Sequence, residues 1–202
     1  MASFVIDLAP LKKSRDFSLL WAAGLISYFG SMITYVAVPF QIKELTGSYV
    51  AVAISGLVEI VPLIIFGLYG GVLADAIDRK KLIWVTELLS LLFTGILLIN
   101  SMMDSPNLLL IYIVSGLFAA TSGLRQPAMQ AALPRLVAHE DMTAAAALMS
   151  LRWQVGVIVG PAIGGVLIST YSVAVGYAAD IATFIVSIVL IAFMRNIPPS
   201  HE

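Results

Sequence analysis

The chain has 202 residues, of which 60% are hydrophobic and 11% charged, with a formal net charge of -1 and a mean hydropathy of +0.99. No soluble domain of this length can bury so much apolar side chain, so the composition points to an all-α, polytopic membrane protein. The near-zero net charge argues against nucleic-acid binding. With no cysteine and only two histidines, neither a disulfide framework nor a metal centre is expected, and no cofactor motif is present.

Residues 1–16 read as a short interfacial head carrying Leu8, Leu11, Lys12, Lys13 and Arg15, with Asp16 as the expected N-cap of the first span. Six apolar runs follow, at about 17–41, 48–74, 79–100, 107–126, 141–170 and 172–195. Each reaches the ~20 residues that a helical bilayer crossing requires. Residues 126–141, with Pro127, Pro134, Arg135, His139, Glu140 and Asp141, read as a polar connector, and residues 197–202 as a tail. Lys12, Lys13, Arg15, Arg79, Lys80, Lys81, Arg135 and Arg195 fall on one side of the membrane, and Lys43 alone falls on the other. The positive-inside rule then places both termini in the cytoplasm of a multi-pass protein of the cell (inner) membrane. Gly70-Gly71-Val72-Leu73 in the second span recurs as Gly164-Gly165-Val166-Leu167 in the fifth, each after a proline (Pro62, Pro161). The two spans run in opposite directions, so residues 17–101 and 102–196 are expected to be two inverted three-helix repeats.

Between the second and third spans, charge is set against local helix physics. Asp75 lies at the negative end of one helix, and Arg79, Lys80 and Lys81 open the next at its positive end. Only Asp78 suits its place, as an N-cap. The stretch Gly71, Leu73, Asp75, Arg79, Lys80 resembles the G-x-L-A-D-x-x-x-R-K signature of the major facilitator superfamily, with Asp78 where a glycine is usual. On the fifth span Gly156, Gly160, Pro161, Gly164 and Gly165 are similar to the G-x3-G-P-x2-G-G pattern of antiporter-type exporters in that superfamily. Two further positions depart from the family. Tyr112 stands where an arginine is common, and Arg125 where relatives often carry an acid. With the A-x-x-P-x-L segment at 131–136, the chain most resembles the enterobactin-exporter and macrolide-efflux branch.

That resemblance implies the N-terminal six-helix half of a proton-coupled exporter of drugs or siderophore-like small molecules, working by alternating access. Its partners would be the lipid bilayer, protons, a small-molecule substrate and a second six-helix half. It also implies a charge cluster around Asp75 and Arg79, and glycine faces on the second and fifth spans that meet the other half. The alternative is a half-length membrane protein that scaffolds or regulates a partner without transporting. Nothing resembles paired catalytic residues, so an enzyme is not expected.

Ionisable side chains inside the spans need a reason, because an ionised group at mid-bilayer costs ~3 kcal/mol on insertion scales. Glu59 is near the centre of the second span and has no base at its depth, which suits a proton or cation site. Glu87 and Arg152 lie at similar depth with opposite sign and are expected to pair. Asp180 is expected near the outer surface, hydrated. Tyr28, Phe29 and Tyr35 on the first span, and Tyr112 and Phe118 on the fourth, are candidates to line a cavity.

Overall fold

The computed structural model describes residues 7–198. The first residues of the expected head and all but the start of the expected tail lie outside the described residues. A short helix α1 (Ala9–Lys13) precedes α2 (Arg15–Thr46), α3 (Tyr49–Ala76), α4 (Arg79–Ser101) and α5 (Leu108–Leu136). A 3-10 turn (His139–Asp141), α6 (Met142–Thr170) and α7 (Val173–Ala192) complete the chain. The six helices α2 to α7 are each long and apolar enough to cross a membrane.

Local chemistry sets where these helices start. Inside a bilayer a helix satisfies its own backbone, but its first N–H groups need side-chain acceptors. Ser14, Ser48, Asp78, Asn107 and Ser172 supply them, accepting from the N–H of Phe17, Ala51, Lys81, Leu110 and Val175 at 3.0–3.3 Å. The expected Asp78 cap is present. Ser14, not Asp16, caps the first span; Asp16 instead accepts from the backbone N–H of Arg195 at 3.3 Å. Gly47, with φ 65°, takes the left-handed turn that ends α2.

The connector expected at 126–141 is mostly helix, because α5 runs on through Pro127 and Pro134 to Leu136. Each proline removes one backbone donor. Packing compensates: Ala128, Met129 and Ala132 are buried against Ala74, Leu82 and Ile191 in an apolar cluster at the lysine- and arginine-rich end of the bundle. A second cluster, around Ile42, Leu97, Ile111 and Tyr177, fills the opposite end. Between the two lies a layer of buried polar groups that includes Ser27, Thr34, Glu87, Thr94, Thr121, Arg125 and Asp180.

At the basic end, Lys13 donates to both carboxylate oxygens of Asp141 at 3.0 Å, tying α1 to the turn before α6. That hydrogen bond, reinforced by the carboxylate's charge, raises the Lys13 amine above its ordinary range.

α3 packs along α5, α2 lies against α6 and α7, and α4 bridges α5 and α7. The spans differ in how much they bury: 50% of the most apolar stretch of α5 is inside the bundle but only 6% of that of α3. Glycines make the closest crossings. A Cβ at Gly123 would stand 2.7 Å from the carbonyl oxygen of Leu63, and one at Gly70 would stand 2.9 Å from the Cα of Leu124. On the other side Gly156, Gly160 and Gly164 face Tyr28, Met32 and Ile33 of α2. The glycine stripe of the fifth span therefore seats that helix within this chain, not against another half. Only the second glycine of each pair, Gly71 and Gly165, looks into open space.

Gly123→Val should lower the stability of the detergent-extracted protein by about 1–3 kcal/mol, because backbone cannot yield to the added branch. Gly95→Val, whose site is open, is the control. Thermal unfolding followed by size-exclusion chromatography reads the difference, and equal losses would refute the α3–α5 seam.

Candidate functional site

The helix crossings leave a cavity of about 550 Å³ bounded by α2, α3, α4, α5 and α6. Its lining is mainly apolar, with Tyr28, Phe118 and Met129 among Ser27, Ser115, Ser122 and Gln126. One acid and two bases reach it: Glu59 from α3, Arg125 from α5 and Arg152 from α6.

Glu59 sits ten residues past the start of α3, about 15 Å along its axis, and has no hydrogen-bond partner among the described residues. Arg152 sits ten residues past the start of α6, about 15 Å in from the basic end. The two helices start at opposite ends, so the acid and the base stand toward opposite ends of the cavity.

The expected Glu87–Arg152 pair is not formed. Glu87 binds Arg125 at 2.8 Å, both side chains being at least 93% buried, and Ser27 donates to the same carboxylate oxygen at 2.9 Å. This one contact joins α4, α5 and α2. The sequence reading missed it because equal depth does not tell which helices face each other. Arg125, the departure from the family pattern, is the base that neutralises Glu87. Arg152 is left with a 3.7 Å contact from Nη1 to the sulfur of Met129.

Asp180 is fully buried, not hydrated at an outer surface. Its carboxylate accepts from Thr34 at 2.5 Å, Thr183 at 3.3 Å and Thr94 at 3.4 Å, hydroxyls drawn from α2, α7 and α4. Thr34 also lines the cavity, so a single hydroxyl separates Asp180 from it. These threonines carried no signal in the sequence, since hydroxyl residues are common in membrane helices.

Of the aromatic candidates, Tyr28, Tyr35 and Phe118 line the cavity. Tyr112 does not; its hydroxyl donates to the carbonyl of Ala51 at 2.8 Å and locks α5 to α3.

At the basic end, Asp75 is largely exposed and approaches Arg79 only to 3.9 Å. Arg79 is buried and donates to the carbonyl of Pro198 at 2.8 Å, and Lys80 donates to the carbonyls of Ala192 and Met194. The two bases thus gather the last carbonyls of α7 and the segment after it. A cation at a helix C-terminus is favoured by the dipole. Leu73 packs partly buried against the basic-end cluster.

A bundle of six apolar spans around a mainly apolar cavity defines a polytopic membrane protein, and the sequence places it in the major facilitator superfamily. The sequence profile of the transmembrane secretion effector family matches residues 5–201, and the chain belongs to that family. It is 34% identical to the enterobactin exporter EntS of Citrobacter koseri and of Shigella boydii over 202 residues, and to that of Salmonella choleraesuis over 203. Each alignment covers 98% of this chain and 48% of the relative, so the chain spans about half the length of the curated relatives it matches.

Glu87→Leu and Arg125→Leu should each destabilise the protein by about 3–5 kcal/mol, because each leaves a buried charge without its partner. The double variant should lose clearly less than the sum. A double-mutant cycle on detergent unfolding checks this, and simple additivity would refute the coupling.

Proposed function

We propose that this chain forms one half of a secondary active exporter, and that the cavity is its share of a substrate pathway completed by a second six-helix half. The carrying observation is a cavity between five spans with ionisable side chains, Glu59 and Arg152, that lack ionic partners among the described residues of a membrane bundle. Such groups are costly in a bilayer and mark transport sites. Kinship with enterobactin exporters supports outward movement of a small amphiphile.

In this reading the basic end is cytoplasmic. The halves of the chain, α2–α4 and α5–α7, are inverted repeats. Support comes from Gly70 of α3 lying on α5 as Gly164 of α6 lies on α2, the matching helices of the two repeats. The outer face of α3, with Leu57, Val61, Ile64, Leu68 and Val72 exposed, suits burial against the second half. The open glycines Gly71 and Gly165 would permit its close approach, and exposed Asp75 would meet a charge there.

Glu59 and Asp180 are the two carboxyls that would carry protons by alternating access, Glu59 directly in the cavity and Asp180 behind Thr34. A carboxyl that alternately faces each side couples substrate export to proton entry.

Purified chain reconstituted alone in proteoliposomes should give no export, whereas the chain assembled with its second half should export when an imposed gradient drives protons inward. Export by strictly monomeric protein would refute the half-pathway reading. In the assembled transporter Glu59→Gln should preserve folding and substrate binding but abolish the dependence on the pH gradient. Undiminished gradient-driven export would remove Glu59 from the mechanism and leave Asp180 as the carrier.

A further inference from the structure

Among the described residues, Arg152 is the one cavity-lining charge that is both buried and without an ionic partner. It is 7% exposed, its Nε has no hydrogen-bond partner, and Nη1 has only a thioether at 3.7 Å. Glu87, which stands at its depth, is taken by Arg125 at 2.8 Å. No salt bridge reaches Arg152 among the described residues. Guanidinium does not escape the cost of burial by losing its proton, because it stays charged at any ordinary pH. A permanent cation in this position calls for an anion.

The seat of that cation is shaped. A Cβ at Gly24 of α2 would overlap Nη1 of Arg152, so the missing side chain is what admits the guanidinium between α2 and α6. One turn further along α6, Gly156 lies under the ring of Tyr28 with no room for a Cβ. Two glycine contacts on adjacent helices thus place a cation and an aromatic ring side by side at the cavity wall. Ser122 and Gln126 line the same cavity with hydrogen-bonding groups.

We propose that Arg152, held in the slot at Gly24, binds the acidic group of an anionic, ring-bearing substrate, with the ring lying against Tyr28. The planar fork of the guanidinium matches a carboxylate or similar oxyanion through two parallel N–H···O bonds. Uptake of the anion would satisfy the orphaned Nε and neutralise the buried charge together. This inference rests on the reading of the cavity as a substrate pathway and adds the charge class of the cargo and the residue that selects it. An anionic lipid headgroup offers the same oxyanion chemistry, so the host membrane must be controlled.

The test is binding of benzoate, and of benzamide as its neutral isostere, to the 202-residue chain in phosphatidylcholine nanodiscs, measured by saturation-transfer NMR. The wild type should prefer benzoate by roughly tenfold or more, the size of one charge-assisted contact. Arg152→Gln should abolish the preference, and Gly24→Ala should reduce it without changing any charge. If Arg152→Gln does not fold, Gly24→Ala and the wild-type preference still decide the matter. Adding phosphatidylglycerol to the discs should leave benzoate binding intact; its loss would identify a lipid headgroup as the occupant and overturn the assignment to a soluble substrate. Equal affinity for benzoate and benzamide, or a preference that survives Arg152→Gln, would also overturn it. Absent export in vesicles combined with an Arg152-dependent benzoate preference would support the anion site and count against the transport reading alone.

Discussion

The interaction on which the arrangement of this bundle depends is the buried ion pair between Glu87 and Arg125, 2.8 Å apart. Burying two charges is costly, and their attraction compensates only when geometry and accessory hydrogen bonds are good. Here Ser27 adds a third helix to the contact. α2, α4 and α5 are therefore fixed at mid-depth by polar chemistry, while apolar clusters close the two ends. The pair has a second consequence. By consuming the carboxylate that stands at the depth of Arg152 it leaves that base unmatched in the cavity wall.

Close approach by glycine supplies the other constraint. In a bilayer there is no hydrophobic drive between helices, so backbone proximity and interhelical hydrogen bonds carry association. Gly70 and Gly123 bring α3 onto α5, and Gly156, Gly160 and Gly164 bring α6 onto α2. These contacts are internal, which separates two uses of the same residue type in one sequence. The first glycine of each Gly-Gly pair builds this bundle, and the second stays open on its surface. Tyr112 reinforces the α3–α5 seam from a position where the superfamily often keeps an arginine.

Three ionisable groups that look alike along the sequence end in different surroundings. Glu59 faces the cavity with no partner, Arg152 lies buried in its wall, and Asp180 sits behind Thr34 among three hydroxyls. Thr34 is the hinge of this contrast, because it belongs both to the cavity lining and to the shell of Asp180. The polar middle of the bundle thus holds two hydrogen-bonded groups, Glu87 with Arg125 and Ser27, and Asp180 with Thr34, Thr94 and Thr183, drawn from α2, α4, α5 and α7.

Much of the fold was legible in the chain itself. Apolar runs of bilayer length give the six spans, because a helix is the only way for a single segment to satisfy its backbone in lipid. Ser48, Asp78, Asn107 and Ser172 mark where spans begin, because capping acts over three residues. The Gly71–Lys80 signature and the glycine pattern from Gly156 to Gly165 pointed to the superfamily. Partner choice was not legible. Glu87 could be read as the mate of Arg152 by depth alone, and only the packing of α4 on α5 awards it to Arg125. The continuation of α5 through Pro127 and Pro134 was hidden because its compensation comes from Ala74, Leu82 and Ile191, distant in the chain. Gly24 carried no sign of its task, since a slot exists only when the helix that fills it is in place. Local sequence determines what one helix can satisfy by itself; which charge is matched and which is left open is decided by neighbours that only the tertiary structure brings together.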